Sequence, residues 1–144
     1  MSTVLPGATI GFLGGGQLAR MSALAARSMG YNVHVLDPDP ECPARAVATH
    51  TVTAKYDDVE AAAAFARTCD VITLDIEQVS TASIAAASLH APVHPGAAPI
   101  HIIQDRGRQK EWLQQNGFPV APFRIAHTPL DVAAAYEALG RSIA

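Results

Sequence analysis

The chain has 144 residues, enough for one ordinary domain or a small domain with part of another. Hydrophobic residues make up 49% and charged residues 16%, which predicts a packed core rather than disorder. The net charge of -3, with no block of like charge, argues against a nucleic-acid or membrane surface.

The opening "MSTVLPGATIG" has neither a basic stretch nor a long apolar one, so no secretory leader is expected and the reading is cytoplasmic. "ATIGFL" (8–13) reads as a buried strand. "GQLARMSALAARSMG" follows as a helix, with Leu18, Met21, Leu24 and Ser28 at helical spacing and Gly30 as its stop. "YNVHVLD" (31–37) is a second strand, and "PDPECP" a proline-rich loop without regular structure. "HTVTA" (50–54) is a short third strand. "DDVEAAAAFARTC" is a helix with acids in its first turn, where the helix dipole favours them. "DVITLD" (70–75) is a fourth strand, "STASIAAASLH" a helix capped by Ser80, and "APVHPG" a short strand or turn.

Apolar strands alternating with helices predict an α/β fold: a Rossmann-like parallel sheet with helices on both faces, over residues 1–100. The chain changes character near residue 96. Asp105 caps a predicted helix "RGRQKEWLQQN", ended by Gly117; "VAPFRIA" reads as a strand; "PLDVAAAYEALG" reads as a helix with Pro129 near its start. Residues 101–144 are therefore expected to open a second domain. Cys42 and Cys69 lie outside any CxxC and read as reduced thiols. In "HAPVH" Pro92 separates the two histidines, so no one-face metal pair forms and no metal site is expected.

The stretch "IGFLGGGQLARM" carries the chemistry. Gly14 to Ala19 fits G-x-G-x-x-A between a strand and a helix, and Asp37 ends the next strand. A helix N-terminus offers N–H groups and partial positive charge to an anion. That reasoning does not choose between a dinucleotide, a phosphate monoester and a purely structural turn. Asp37 has two readings as well: an acid holding a ribose hydroxyl, or a loop-forming residue in "DPDP". Ligands in parallel sheets sit at the carboxyl ends of strands, which selects the glycine loop and "DIEQ" after the fourth strand.

Together, "IGFLGGGQLARM", "VHVLDPDPECPA", "VITLDIEQV" and "IIQDRGRQKEWLQQNGFPVAPF" resemble, in that order, the amino-terminal part of the carboxyaminoimidazole ribonucleotide synthases, ATP-grasp ligases of purine biosynthesis. The resemblance covers about residues 8 to 126. It implies a Rossmann-like domain followed by the first elements of an ATP-grasp module. The implied reaction uses ATP and magnesium to join bicarbonate to the amine of aminoimidazole ribonucleotide, through carboxyphosphate. By the same resemblance, Gly15, Gly16, Gln17 and Leu18 match the family's G-G-G-Q-L beside the ribonucleotide. Glu77 matches an acid facing that substrate, and Asp75 stands where the family usually carries the longer glutamate. Arg106 matches an arginine that contacts ATP, and Lys110, one helical turn on, supports the same face.

The family's catalytic and magnesium-binding residues come later than Ala144, so none is assigned and these residues alone are expected to be inactive. The family is commonly dimeric, so a homodimer is the expectation it carries. NAD is not expected, despite the glycine pattern. Three rivals stand beside this reading: a NAD(P)-dependent oxidoreductase domain, another purine-pathway ATP-grasp enzyme, and a non-catalytic nucleotide-binding or dimerisation module.

Overall fold

The computed structural model describes residues 3–139. Five strands form one parallel sheet: β1 (Thr9–Leu13), β2 (Asn32–Asp37), β3 (His50–Thr53), β4 (Val71–Leu74) and β5 (Val93–His94). Their order is β3-β2-β1-β4-β5. The chain builds outward from β1 to β3, then returns to the other side of β1 for β4. The strand order thus reverses between β1 and β4, where α/β folds open a ligand crevice.

Alternation along the strands gives the sheet two cores. Phe12, Val33 and Val35 pack on one face with Ala19, Ala23 and Ala26 of α1 (Gln17–Ser28) and with Cys42 and Ala44. Leu13, Leu36 and Ile72 pack on the other face with Phe65 of α2 (Val59–Ala66) and Ile84 of α3 (Thr81–Ser88). Asp58 caps α2 by accepting the Ala61 N–H at 2.9 Å, and Ser80 caps α3 by accepting that of Ser83 at 3.0 Å. Gly30 stops α1's turn with φ +89°.

Several expectations are corrected. The helix predicted from the spacing of Leu18, Met21 and Leu24 is present, with these residues on its outer face, 69%, 66% and 51% exposed. Ala19, Ala23 and Ala26 lie within about 60° on a helical wheel, and these small side chains let the helix sit close to the sheet. The proline-rich loop runs into a 3₁₀ turn at Pro43–Ala46, which Pro43 can begin because its missing N–H is not needed there. Helix α4 (Ala97–Ile103) was not predicted; Ile100, 2% exposed, anchors it on the sheet's second core.

The described residues divide into two compact units, one reaching His101 and one starting at Ile102. The second contains α5 (Arg106–Gln115) and α6 (Pro129–Leu139), neither with a buried residue. Asp105 caps α5, accepting the Arg108 N–H at 2.7 Å, and Gly117 takes φ +76° beyond its end. The predicted strand "VAPFRIA" is not one: residues 118–126 are irregular. A strand exists only by pairing, and no neighbouring strand among the described residues pairs with this segment. Gly140, the last residue of the predicted final helix, lies outside the described residues.

Candidate functional site at the β1–β4 crevice

Three strands deliver the site. β1 leads into Gly14–Gly16, β2 ends in Asp37, and β4 leads into Asp75 and Glu77. Gly14 has φ +101°, a conformation that favours glycine, and donates its N–H to the Leu36 carbonyl at 2.9 Å. Gly15 donates to Asp37 Oδ2 at 2.7 Å, and Gly16 to Asp75 Oδ2 at 2.8 Å. Two N–H groups expected to face an anion are therefore held by carboxylates of the protein itself. Negative charge at the N-terminus of α1 is favourable on dipole grounds.

Both glycines leave room for close internal contacts. A Cβ on Gly15 would lie 2.5 Å from Cys42 Sγ and 2.9 Å from Val35 Cγ1. A Cβ on Gly16 would lie 2.5 Å from Asp75 Oδ2. Gly16 itself has φ -68°, so what favours glycine there is the close approach of the Asp75 carboxylate and not positive φ.

Asp37 is 8% exposed. Its Oδ2 accepts from Gly15 N–H and from the Tyr56 hydroxyl, both at 2.7 Å, and its Oδ1 accepts from Asp39 N–H at 2.8 Å. This is the loop-forming reading of Asp37; the carboxylate is turned inward and engaged on both oxygens. Burial, together with the hydrogen bond to Asp37, pushes the Tyr56 hydroxyl well above its ordinary pKa, so it stays a donor. Cys42, 5% exposed against the loop, has its thiol pushed up by burial, and Cys69 is pushed up to about 11 by the same cause. Both are free, and neither has the character of a reactive thiolate.

The first backbone bond of α1 runs from Arg20 N–H to Gly16 O at 3.0 Å. Gln17 and Leu18, both exposed, therefore have N–H groups with no acceptor inside the helix. They are exposed backbone donors at the start of the helix. Glu77 lies exposed in the turn after β4, two residues beyond Asp75. Gly16 and Asp75 are thus joined directly, and Glu77 follows on the same side of the crevice. A depression of about 450 Å³ lined by Arg20, Cys42 and Arg45 opens beside the start of α1.

Arg106 and Lys110 belong to the second unit. Arg106, exposed, donates to Gln109 Oε1 at 2.7 Å, while Lys110 Nζ lies 5.9 Å from the Phe123 ring centroid. The two lie one turn apart on α5, each with its own partner. A cavity of about 670 Å³ in that unit is lined by Glu111, Phe123, Arg124 and Leu139, remote in sequence from the crevice residues. Among the described residues no group of three or more His, Cys, Asp or Glu side chains is placed to hold a metal ion. Sequence reasoning missed Tyr56 and Cys42 as parts of the site. The one signal was position: "KYDD" follows a strand whose carboxyl end faces the same crevice.

Residues 7–104 match the family described as the ribonucleotide synthetase preATP-grasp domain. The N5-carboxyaminoimidazole ribonucleotide synthase of Staphylococcus aureus is 42% identical over 134 residues, 93% of this chain and 36% of that protein. That of Brucella melitensis is 40% identical over 139 residues, 96% of this chain and 38% of that protein. The crystal structure of the Aspergillus clavatus synthase in complex with ADP and 5-aminoimidazole ribonucleotide superposes with a TM-score of 0.81 at 36% identity, over 92% of this chain and 36% of that one. The chain thus spans little more than a third of the length of the curated relatives it matches. With its switch-point crevice, its glycine loop and this match across most of its length, the chain belongs to the ribonucleotide synthetase pre-ATP-grasp domain family.

Proposed function

We propose that this chain forms the ribonucleotide-binding, amino-terminal part of an ATP-dependent ligase that carboxylates 5-aminoimidazole ribonucleotide with bicarbonate. The observation that carries the reading is the meeting of the glycine loop with Asp75 and the Glu77 turn at the reversal of strand order. The N–H groups of Gln17 and Leu18 and the side chain of Gln17 orient substrate oxygens, and Glu77 accepts from an amine or ribose hydroxyl. The residues to His101 act as the pre-ATP-grasp domain, and those from Ile102 begin the ATP-grasp domain, where Arg106 and Lys110 approach ATP. ATP activates bicarbonate as carboxyphosphate, and magnesium is held elsewhere in such a ligase. The same proposal takes the ligase as cytoplasmic and homodimeric; among the described residues no helix is long and apolar enough to cross a membrane.

The dinucleotide reading loses its two anchors. The acid that would hold a ribose hydroxyl is turned inward, and two carboxylates already take the Gly15 and Gly16 N–H groups beside which a diphosphate would lie. Calorimetric titration with aminoimidazole ribonucleotide, ATP and NADH separates the readings. Ribonucleotide binding that Glu77→Gln weakens by roughly 10- to 150-fold is expected, the cost of one hydrogen bond to a charged group. Micromolar NADH binding without ribonucleotide binding refutes the proposal.

A further inference from the structure

Three segments converge on one carboxylate. Gly15 follows β1, Asp37 ends β2, and Tyr56 lies in the turn between β3 and α2. Asp37 carries donors on both oxygens, so it cannot rotate without breaking a bond, and the position of Gly15 N is fixed with it. The Gly15 carbonyl is held too, accepting the Ala44 N–H at 2.9 Å. Tyr56 has a second connection. Its backbone carbonyl accepts the N–H of Ser80 at 3.0 Å, and Ser80 caps α3 directly after the turn that carries Asp75 and Glu77. One residue thereby ties the β1 wall of the crevice, through its hydroxyl, to the β4 wall, through its backbone.

We propose that Tyr56 is a positioning residue of the ribonucleotide crevice, its hydroxyl acting through Asp37 to fix the glycine loop against the β4 turn. The inference rests on the function proposed above and adds a residue that does not touch the substrate. Removing the hydroxyl leaves Asp37 one donor short on Oδ2, held only by the Gly15 and Asp39 N–H groups, and unties it from the β3–α2 turn. Gly15 and the first N–H groups of α1 then lose their fixed height relative to Glu77.

The test uses the full-length ligase with Tyr56→Phe and Asp37→Asn. Tyr56→Phe should raise KM for aminoimidazole ribonucleotide roughly 3- to 30-fold, part of the loss expected for a hydrogen bond to a charged group, and leave KM for ATP within about twofold. Hydrogen exchange, followed by mass spectrometry on a peptide containing Gly14–Leu18, should speed up while the β2 peptide keeps its protection. Should Tyr56→Phe fail to fold, Asp37→Asn, which keeps the shape but exchanges one acceptor oxygen for an amide donor and so breaks the same relay, carries the same expectation. An unchanged KM for the ribonucleotide overturns the proposal, even if the melting temperature falls, because a merely structural tyrosine gives that result. Equal rises in both KM values overturn it as well. A wild-type ligase without ribonucleotide-dependent ATP turnover instead overturns the parent reading of function.

Discussion

Gly15 and Gly16 differ in what surrounds the missing side chain, and so in what a methyl group should cost. Around Gly15 the neighbours are Cys42 and Val35, both buried and unable to move aside. Around Gly16 the neighbour is the carboxylate of Asp75, which is only partly buried and can swing outward. Gly15→Ala should therefore destabilise by about 1–3 kcal/mol, the usual cost of overpacking, and Gly16→Ala by less. Adding Cys42→Ala to Gly15→Ala should recover part of the loss, read from urea unfolding midpoints; equal costs for the two glycines, or no recovery, would contradict the packing account. The glycine pattern was legible in the sequence because its spacing is local. Asp37 and Asp75 could be placed at the same sheet edge from the strand pattern, but their bonds to Gly15 and Gly16, and the contact with Cys42, could not, because they depend on packing in three dimensions. His34 gives a second prediction at this scale. It faces His50 on the neighbouring strand, and the Thr68 hydroxyl donates to the Phe65 carbonyl, so His34 Nδ1–H donates to Thr68 Oγ1. Burial, and then His50, holds its pKa below the ordinary 6.5. Above pH 6.5 the group is neutral in both folded and unfolded chains. As pH falls through 6.5 the unfolded chain takes up the proton first, so stability falls, levelling off below the folded pKa. Tm should drop as pH falls through 6.5, and less steeply in His34→Gln; parallel profiles would show that His34 does not contribute.

Helix α1 shows that periodicity can identify a helix at a parallel sheet without saying which face is buried. Its large apolar residues and its alanines both recur at helical spacing, on opposite faces. The close approach of α1 to β1 and β2 selects the alanine face, a fact of tertiary distance that a one-dimensional pattern does not contain. Ala23, fully buried, has no room to grow, so Ala23→Leu should cost about 1–3 kcal/mol. Leu24→Gln, on the outer face, should change stability by no more than about 0.5 kcal/mol. Chemical denaturation of the two variants checks the pair, and a reversed order would mean the helix is turned the other way. Caps were easier to read than faces. Ser80 and Asp105 cap α3 and α5 because a cap is a contact across three residues. The segment "VAPFRIA" failed for the opposite reason: strand formation depends on a partner, and its composition says nothing of whether one is present.

At the scale of the whole molecule, the two units differ in how they are held. The unit reaching His101 contains both sheet cores, and Ile100 of α4 closes one of them. In the unit from Ile102, α5 and α6 bury no residue, and helices of 10 and 11 residues are marginal in water without packing. The change in composition near residue 96 reflects this: apolar runs that can cover a sheet give way to "QDRGRQKEWLQQN". A polypeptide of residues 3–104 keeps every strand, α1 to α3, the Tyr56–Asp37–Gly15 contacts and the anchor at Ile100. It should unfold in one cooperative transition with Tm within roughly 4 °C of the 144-residue chain, the shift expected when less than about 1 kcal/mol is lost from a domain of this size. In the longer chain, amides of β1, β2 and β4 should exchange only by global unfolding, and those of α5 and α6 far faster. Loss of the cooperative transition on truncation, or equal protection of α5 and the strands, would mean that the residues from Ile102 onward stabilise the sheet.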